Sequence, residues 1–282
     1  AIGAGPLEEA LGTAPNGGAD GDVLGEHYGV SWWWTFVADA AGRGLVAGAD
    51  GGTVLKTYVA VDRAPELRLR LVMGMTGDRL TLAPGQERRL DGLVVVLGDV
   101  AAGLERWAAR VAELHPSALE RKPALGGWGS WNLYYEAITA AALREEATWA
   151  ASTLVPLGLG DFLLDDGYEP HWGDWRADVD FGADLATLAA EQTAAGLAPA
   201  IWVAPFYLDV TDPDYAAHPE WFVRDDDGAP RLFQNVGPTY AALEVTVPAA
   251  RERVVSALRA LRDAGYRTLK IDFLFGGALE GA

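Results

Sequence analysis

Along the first hundred residues, apolar positions recur at the short period of strands. His27–Val37 is dense in aromatic and β-branched residues, and Leu45–Ala47 and Thr53–Val61 continue the pattern. In the stretch Glu66–Met73, Leu67, Leu69 and Leu71 fall on one face between charged neighbours, as in a half-buried strand. Leu80–Leu82 and Leu93–Leu97 complete the set, with glycine and proline turns between the runs. Many short strands of this kind predict part of an antiparallel β-sandwich over residues 1–99. From Val100 the period lengthens. Leu104, Trp107, Ala108, Val111 and Leu114 fall at helical spacing, and Pro116 closes the run. A linker helix is therefore expected over 100–123, with the domain boundary in His115–Pro123.

From residue 124 to 282 the rhythm alternates. A short extended piece at Gly126–Trp131 precedes an Ala-rich helix at Glu136–Leu154. The strand Phe162–Leu164 precedes a helix at Asp184–Ala195, closed by Gly196. The strand Ala200–Val203 is followed much later by the helix Pro248–Ala264, with proline at its start and Gly265 just past its end. Thr268–Asp272 is the last strand. Strands alternating with helices imply parallel pairing through crossover connections.

Composition narrows the class. The 282 residues suggest about two domains. A hydrophobic fraction of 50% is ample for a folded core, and no run approaches the roughly 18 apolar residues of a membrane helix. The charge is 22 − 40 = −18, which argues against nucleic acid as a partner, and no basic amphipathic stretch addresses a membrane. With no cysteine and four histidines, neither a disulfide framework nor a thiolate or histidine metal site is expected, and no cofactor is implied. Zero cysteine fits a reducing compartment, so a cytoplasmic location is the expectation. The start at Ala1 has no signal-peptide pattern, and the segment Gly276–Ala282 directly after a strand reads as an interruption. The 11 tryptophans are unusual, because each indole needs apolar cover and a partner for its N–H.

Three of the alternating strands end in distinctive residues: Asp165-Asp166, Pro205 and Asp272. In a (β/α)8 barrel the C-terminal strand ends form the active face. Paired carboxylates there are the tools of glycosidic bond cleavage. The motifs Gly126-Gly-Trp-Gly-Ser-Trp-Asn132, Leu164-Asp-Asp-Gly-Tyr168, Gly173-Asp-Trp175, Ile201-Trp202 and Leu269-Lys-Ile-Asp272 follow one another in order. In this the chain resembles glycoside hydrolase family 36, the melibiase-type α-galactosidases, over about residues 100–275. The resemblance implies the first four units of a (β/α)8 barrel and a substrate oligosaccharide with a terminal α-galactose.

It also implies roles. Asp272 matches the catalytic nucleophile of a retaining mechanism, and Lys270, two residues earlier on the same strand face, a substrate-binding lysine that favours an ionised nucleophile. Without the resemblance, the two read as a strand-end ion pair. Asp165 and Asp166 match the carboxylates that grip the sugar hydroxyls at positions 4 and 6, although Asp-Asp-Gly is also an ordinary turn. Trp202, Trp128 and Trp172 match or surround a substrate-contacting aromatic, with core packing as the alternative. Arg231 falls where relatives place a substrate arginine, and beside Asp225–Asp227 it reads first as a solvated loop charge. The run Trp32-Trp33-Trp34 belongs either to the site or to a subunit interface of a homo-oligomeric parent.

Some positions depart from the pattern: Ala204-Pro205-Phe206 replaces Glu-Pro-Glu, and Tyr168 stands where tryptophan is usual. In the family the general acid comes from a sixth strand, so the resemblance implies that the 282 residues are a fragment without their acid, inactive and aggregation-prone alone. A raffinose-synthase-like transglycosylase and a non-catalytic galactoside-binding protein on a decayed barrel are the alternatives.

Overall fold

The computed structural model describes residues 2–4, 28–51, 57–62, 68–73, 82–116, 126–235, 237–279 and 281. The expected strand at Leu80–Leu82 lies almost wholly outside these residues. The chain divides into two compact units, one running to Lys122 and the second from Pro123.

The first unit holds strands β1 (Ile2–Ala4), β2 (Tyr28–Trp32), β3 (Trp34–Ala38), β4 (Arg43–Ala49), β5 (Thr57–Asp62), β6 (Arg68–Met73) and β7 (Leu93–Asp99). They form two antiparallel sheets, one ordered β1-β3-β4-β7 and the other β2-β5-β6. The continuous strand expected over His27–Val37 is instead broken at Trp33, whose φ of 70° lies in the left-handed region. The break is supported by packing. Trp33 sits edge-on to Trp107 at 5.0 Å and donates its indole N–H to the Gly51 carbonyl at 2.6 Å.

Helix α1 (Val100–Leu114) begins where Asp99 caps it by accepting the Ala102 N–H. It is not a free linker. Val100 and Trp107 bury against Val46, so the helix is one wall of this unit's core. The Trp107 N–H reaches the Ala49 carbonyl at 2.9 Å, which accounts for another of the tryptophans.

The second unit is built on four parallel strands: β8 (Gly127–Gly129), β9 (Asp161–Leu164), β10 (Ala198–Val203) and, last in the chain, Thr268–Ile271. Their spatial order follows their sequence order. Helices α2 (Trp131–Tyr134), α3 (Ala140–Thr153), α4 (Leu185–Ala194), α5 (Pro213–Ala217) and α6 (Pro248–Asp263) accompany them. Helix α3 starts at Ala140 and not at Glu136. Thr139 caps it by accepting the Ala142 N–H, and the extended backbone of Ile138 and Thr139 separates it from the short 3-10 turn Tyr135–Ala137.

Between β10 and the last parallel strand lies a small antiparallel sheet that the apolar pattern does not predict. Its strands are β11 (Tyr207–Asp209), β12 (Leu232–Gln234) and β13 (Thr239–Ala242), in the order β11-β13-β12. The last parallel strand is therefore β14. The core beneath these sheets contains Phe162, Leu164, Leu188, Ile201, Trp202, Val203 and Tyr207, all nearly inaccessible to solvent.

Candidate active site

Each parallel strand hands over to the site at its C-terminal end. After β8, Ser130 is fully buried. Its N–H donates to the Leu163 carbonyl at 3.1 Å, and its Oγ accepts the Asp165 N–H at 2.9 Å. Strand β9 thus delivers Asp165 with its backbone pinned by the neighbouring strand's loop.

The chain then turns sharply at Gly167, whose φ is 112°. A Cβ built there would lie 2.6 Å from the Glu136 Cα, so only glycine fits between the turn and the preceding loop.

Strand β14 supplies the partners. Trp202 on β10 lies directly opposite Lys270. Lys270 Nζ approaches the two Asp165 oxygens at 2.9 and 3.2 Å and Asp272 Oδ2 at 3.6 Å. The Asp165 side chain is 3% exposed, whereas those of Lys270 and Asp272 are 39% and 42% exposed.

Asp272 is fixed from three directions. Its N–H donates to the Val203 carbonyl at 2.9 Å. Its Oδ2 accepts the Trp202 indole N–H at 3.1 Å, and its Oδ1 accepts the Phe273 N–H at 2.8 Å. A carboxylate held by two N–H donors and a cation, yet open to solvent, is anchored and still accessible.

Asp166 faces a different environment. Trp172 Nε1 donates to its two oxygens at 3.2 and 3.3 Å. Burial pushes the Asp166 carboxyl above its ordinary range, against the hydrogen bonds from Glu169 and Trp172 that favour ionisation. Glu169 is pushed further up, again chiefly by burial and then by Asp166 beside it. Nothing in the sequence marks Glu169 for this place. Only the turn at Gly167 folds it back onto Asp166. Ser130 is similar: it lies inside a recognised motif, but its role becomes visible only when β8 and β9 pair.

Trp202 and Trp172 are 1% and 3% exposed. Trp172 stacks on Tyr240 at 4.0 Å and packs against Phe273 and Trp202. Trp128 stacks on Phe162 at 4.6 Å. Their rings pack on protein, and what Trp172 and Trp202 offer the site is the indole N–H. Arg231 immediately precedes β12, where its N–H donates to the Val223 carbonyl and its carbonyl accepts the Ala242 N–H. Arg253 on α6 ties the outer loops together through Gly173 O (2.6 Å), Asp212 (2.8 Å) and Asp214 (2.9 Å). Among the described residues no His/Asp/Glu group could hold a metal ion, and no helix is long and apolar enough to cross a membrane.

No protein-family model matches the chain. Solved structures do. The α-galactosidase from Thermus thermophilus, in complex with p-nitrophenyl α-D-galactopyranoside, superposes with a TM-score of 0.67 at 25% identity, over 89% of this chain and 47% of that one. A family 36 α-galactosidase from Geobacillus stearothermophilus gives a TM-score of 0.63 at 18% identity, over 88% of this chain and 37% of its own. The chain is similar in structure to α-galactosidases of glycoside hydrolase family 36. Among curated proteins, the bifunctional alpha-galactosidase/sucrose kinase of Mediterraneibacter gnavus is 29% identical over 103 residues, 34% of this chain and 11% of that protein. The A type blood alpha-D-galactosamine galactosaminidase of Flavonifractor plautii is 29% identical over 128 residues, 42% of this chain and 12% of that protein. The chain thus spans about half the length of the Thermus enzyme and a smaller share of the curated relatives.

Proposed function

We propose that this chain carries the sugar-gripping and nucleophilic groups of a retaining α-galactosidase that removes terminal α-galactosyl residues from oligosaccharides. The observation that carries this reading is the setting of Asp272. It is a half-exposed carboxylate at the end of a parallel strand, held by the Trp202 and Phe273 N–H groups and by Lys270. The likeness to the Thermus α-galactosidase, also solved in complex with stachyose, supports the same substrate class.

In this reading Asp272 attacks the anomeric carbon. Its Oδ forms the new C–O bond as the bond to the leaving oxygen breaks, giving a covalent glycosyl-enzyme that water later hydrolyses. Two N–H donors and a cation hold the carboxylate in one orientation, which lowers the cost of reaching an attack geometry. Asp165 and Asp166 accept hydrogen bonds from the galactose hydroxyls at positions 4 and 6, and Lys270 bridges the grip to the nucleophile. The parallel strands β8, β9, β10 and β14 form one arc of a (β/α)8 barrel. The general acid is assigned to no residue of this chain: Asp165 is engaged by Lys270 and Asp166 by Trp172.

An activated 2-deoxy-2-fluoro-galactosyl fluoride of α configuration tests the assignment on the chain itself, because fluoride leaves without a proton. Mass spectrometry of the digest is expected to find the sugar on the peptide containing Asp272 and to find none on Asp272→Asn. An adduct on another carboxylate, or equal labelling of the variant, removes Asp272 from the role.

A further inference from the structure

Asp165, Asp166 and Glu169 place three carboxyl groups in the interior at one turn of the chain. Lys270 neutralises Asp165, and among the described residues no ion pair reaches Asp166 or Glu169. Two carboxyls buried this close together resist ionising together, because burial strips hydration from the charged form and, among the described residues, no cation pairs with either of them.

The hydrogen bonds show how the turn resolves this. Glu169 Oε2 accepts from the Gly167 and Tyr168 N–H groups at 3.3 and 3.1 Å, which ties that oxygen to the backbone of the turn just after Asp166. Both carboxyls are buried within one turn, three residues apart, and burial raises each of them above its ordinary range, with the presence of Asp166 adding to the rise at Glu169. On the far side, Asp166 accepts from Trp172 Nε1. The other titratable groups facing the pair are Asp165 with its Lys270, the buried phenols of Tyr168 and Tyr240, and the carboxyls of Glu136, Asp174 and Asp209 that bear on those phenols. None of these groups except Lys270 is a cation, and Lys270 is already committed.

We propose that Glu169 is a positioning residue that donates its carboxylic O–H to Asp166 and so fixes that carboxylate between itself and Trp172 for a ligand's hydroxyl groups. The proposal rests on the reading of Asp166 as a sugar-binding carboxylate. An acid donor suits the position because it orients Asp166 without neutralising it. Asp166 keeps its negative charge and its remaining lone pairs for hydroxyl donors. An ionised Glu169 would repel Asp166 and turn it from the ligand. A glutamine in its place keeps one oxygen for the two backbone N–H groups and one N–H for Asp166.

Two measurements on the full 282-residue chain test this. In carbon-13 carboxyl NMR, Glu169 is expected to remain in its neutral form at pH 7, and an ionised Glu169 overturns the proposal. In calorimetry with galactose, Glu169→Leu is expected to weaken binding at least 10-fold at pH 6, while Glu169→Gln stays within about 3-fold of wild type. Wild-type affinity is expected to fall at alkaline pH as Glu169 loses its proton, and Glu169→Gln to lose that limb. Equal losses in the two variants, or an alkaline limb that persists in Glu169→Gln, overturn the proposal. A neutral Glu169 in a chain that does not bind galactose supports the hydrogen bond and removes the sugar reading. An ionised Glu169 with galactose binding intact does the reverse.

Discussion

Removing the charge of Lys270 tests the polar frame of the site most directly. Asp165 has a 3% exposed side chain and three hydrogen-bond contacts on its carboxylate: two from Lys270 Nζ and one from the Asp166 N–H at 3.1 Å. Lys270→Met fills a similar volume but leaves Asp165 with the last contact alone. Stranding a buried charge costs about 3–5 kcal/mol, and because Lys270 is 39% exposed, water recovers part of that, leaving about 2–3 kcal/mol. Asp165→Asn leaves the half-exposed lysine with Asp272 at 3.6 Å and with solvent, and should cost about 1 kcal/mol. The double variant leaves neither charge unpaired, so its cost should fall short of the sum by about 1.5 kcal/mol. Urea unfolding of the four proteins at pH 7 measures this directly. Independent sites add to within about 0.5 kcal/mol. Additivity at that level would refute the view that Lys270 compensates Asp165.

Further outcomes follow from the same geometry. Trp202→Phe keeps the buried ring but removes the N–H donated to Asp272, and should slow fluorosugar labelling at least 10-fold while costing about 1 kcal/mol of stability; unchanged labelling would mean that this bond does not orient the nucleophile. Gly167→Ala forces a Cβ into the Glu136 backbone at a positive φ and should lower stability by more than 2 kcal/mol in thermal unfolding, with a loss under 0.5 kcal/mol counting against it. Arg253→Lys loses the three-way hold on Gly173, Asp212 and Asp214 and should speed proteolytic nicking in residues 171–176, where unchanged nicking would deny the clamp. Glu169 is held well above its ordinary value of 4.5, so between those limits the folded chain binds a proton that the unfolded chain does not. Stability should therefore fall as pH rises through that window, by at most about 1.4 kcal/mol per pH unit, relative to Glu169→Gln. Parallel stability profiles for the two proteins between pH 5 and 8 would contradict this.

The sequence pattern carries the parallel strands well, for a physical reason. Ala200–Val203 is buried on both faces and Phe162–Leu164 on one face and partly on the other, so each reads as an unbroken apolar run ending abruptly in polar or special residues. The helices after Asp184 and Val247 are legible through an aspartate cap, an N-terminal proline and closing glycines. Strands β11, β12 and β13 escape because three or four residues hold no measurable period. The start of α3 escapes because apolar spacing cannot show that Ile138 and Thr139 are extended. In the site, Asp165, Lys270 and Asp272 are visible as charges ending or entering apolar strands, which is costly without a partner. Glu169 and Ser130 are not, because each acts on a residue brought to it only by a turn or by strand pairing. The aromatic residues leave both of their readings open in the sequence. A tryptophan near a strand end has the same sequence signature whether its ring meets a sugar or, as with Trp202, packs on Trp172 and Phe273.

The bond between Lys270 and Asp165 joins residues 105 positions apart. Closing so large a loop is slow and entropically expensive, and it is completed only when β14 docks against β10. Until then Asp165 is without its cation and Asp272 without its indole donor. During refolding, local structure around β8, β9 and their helices is expected to form before this long-range pair. The frame around Asp272 is then expected to be the last part of the unit to assemble, and the first to come apart if β14 comes away.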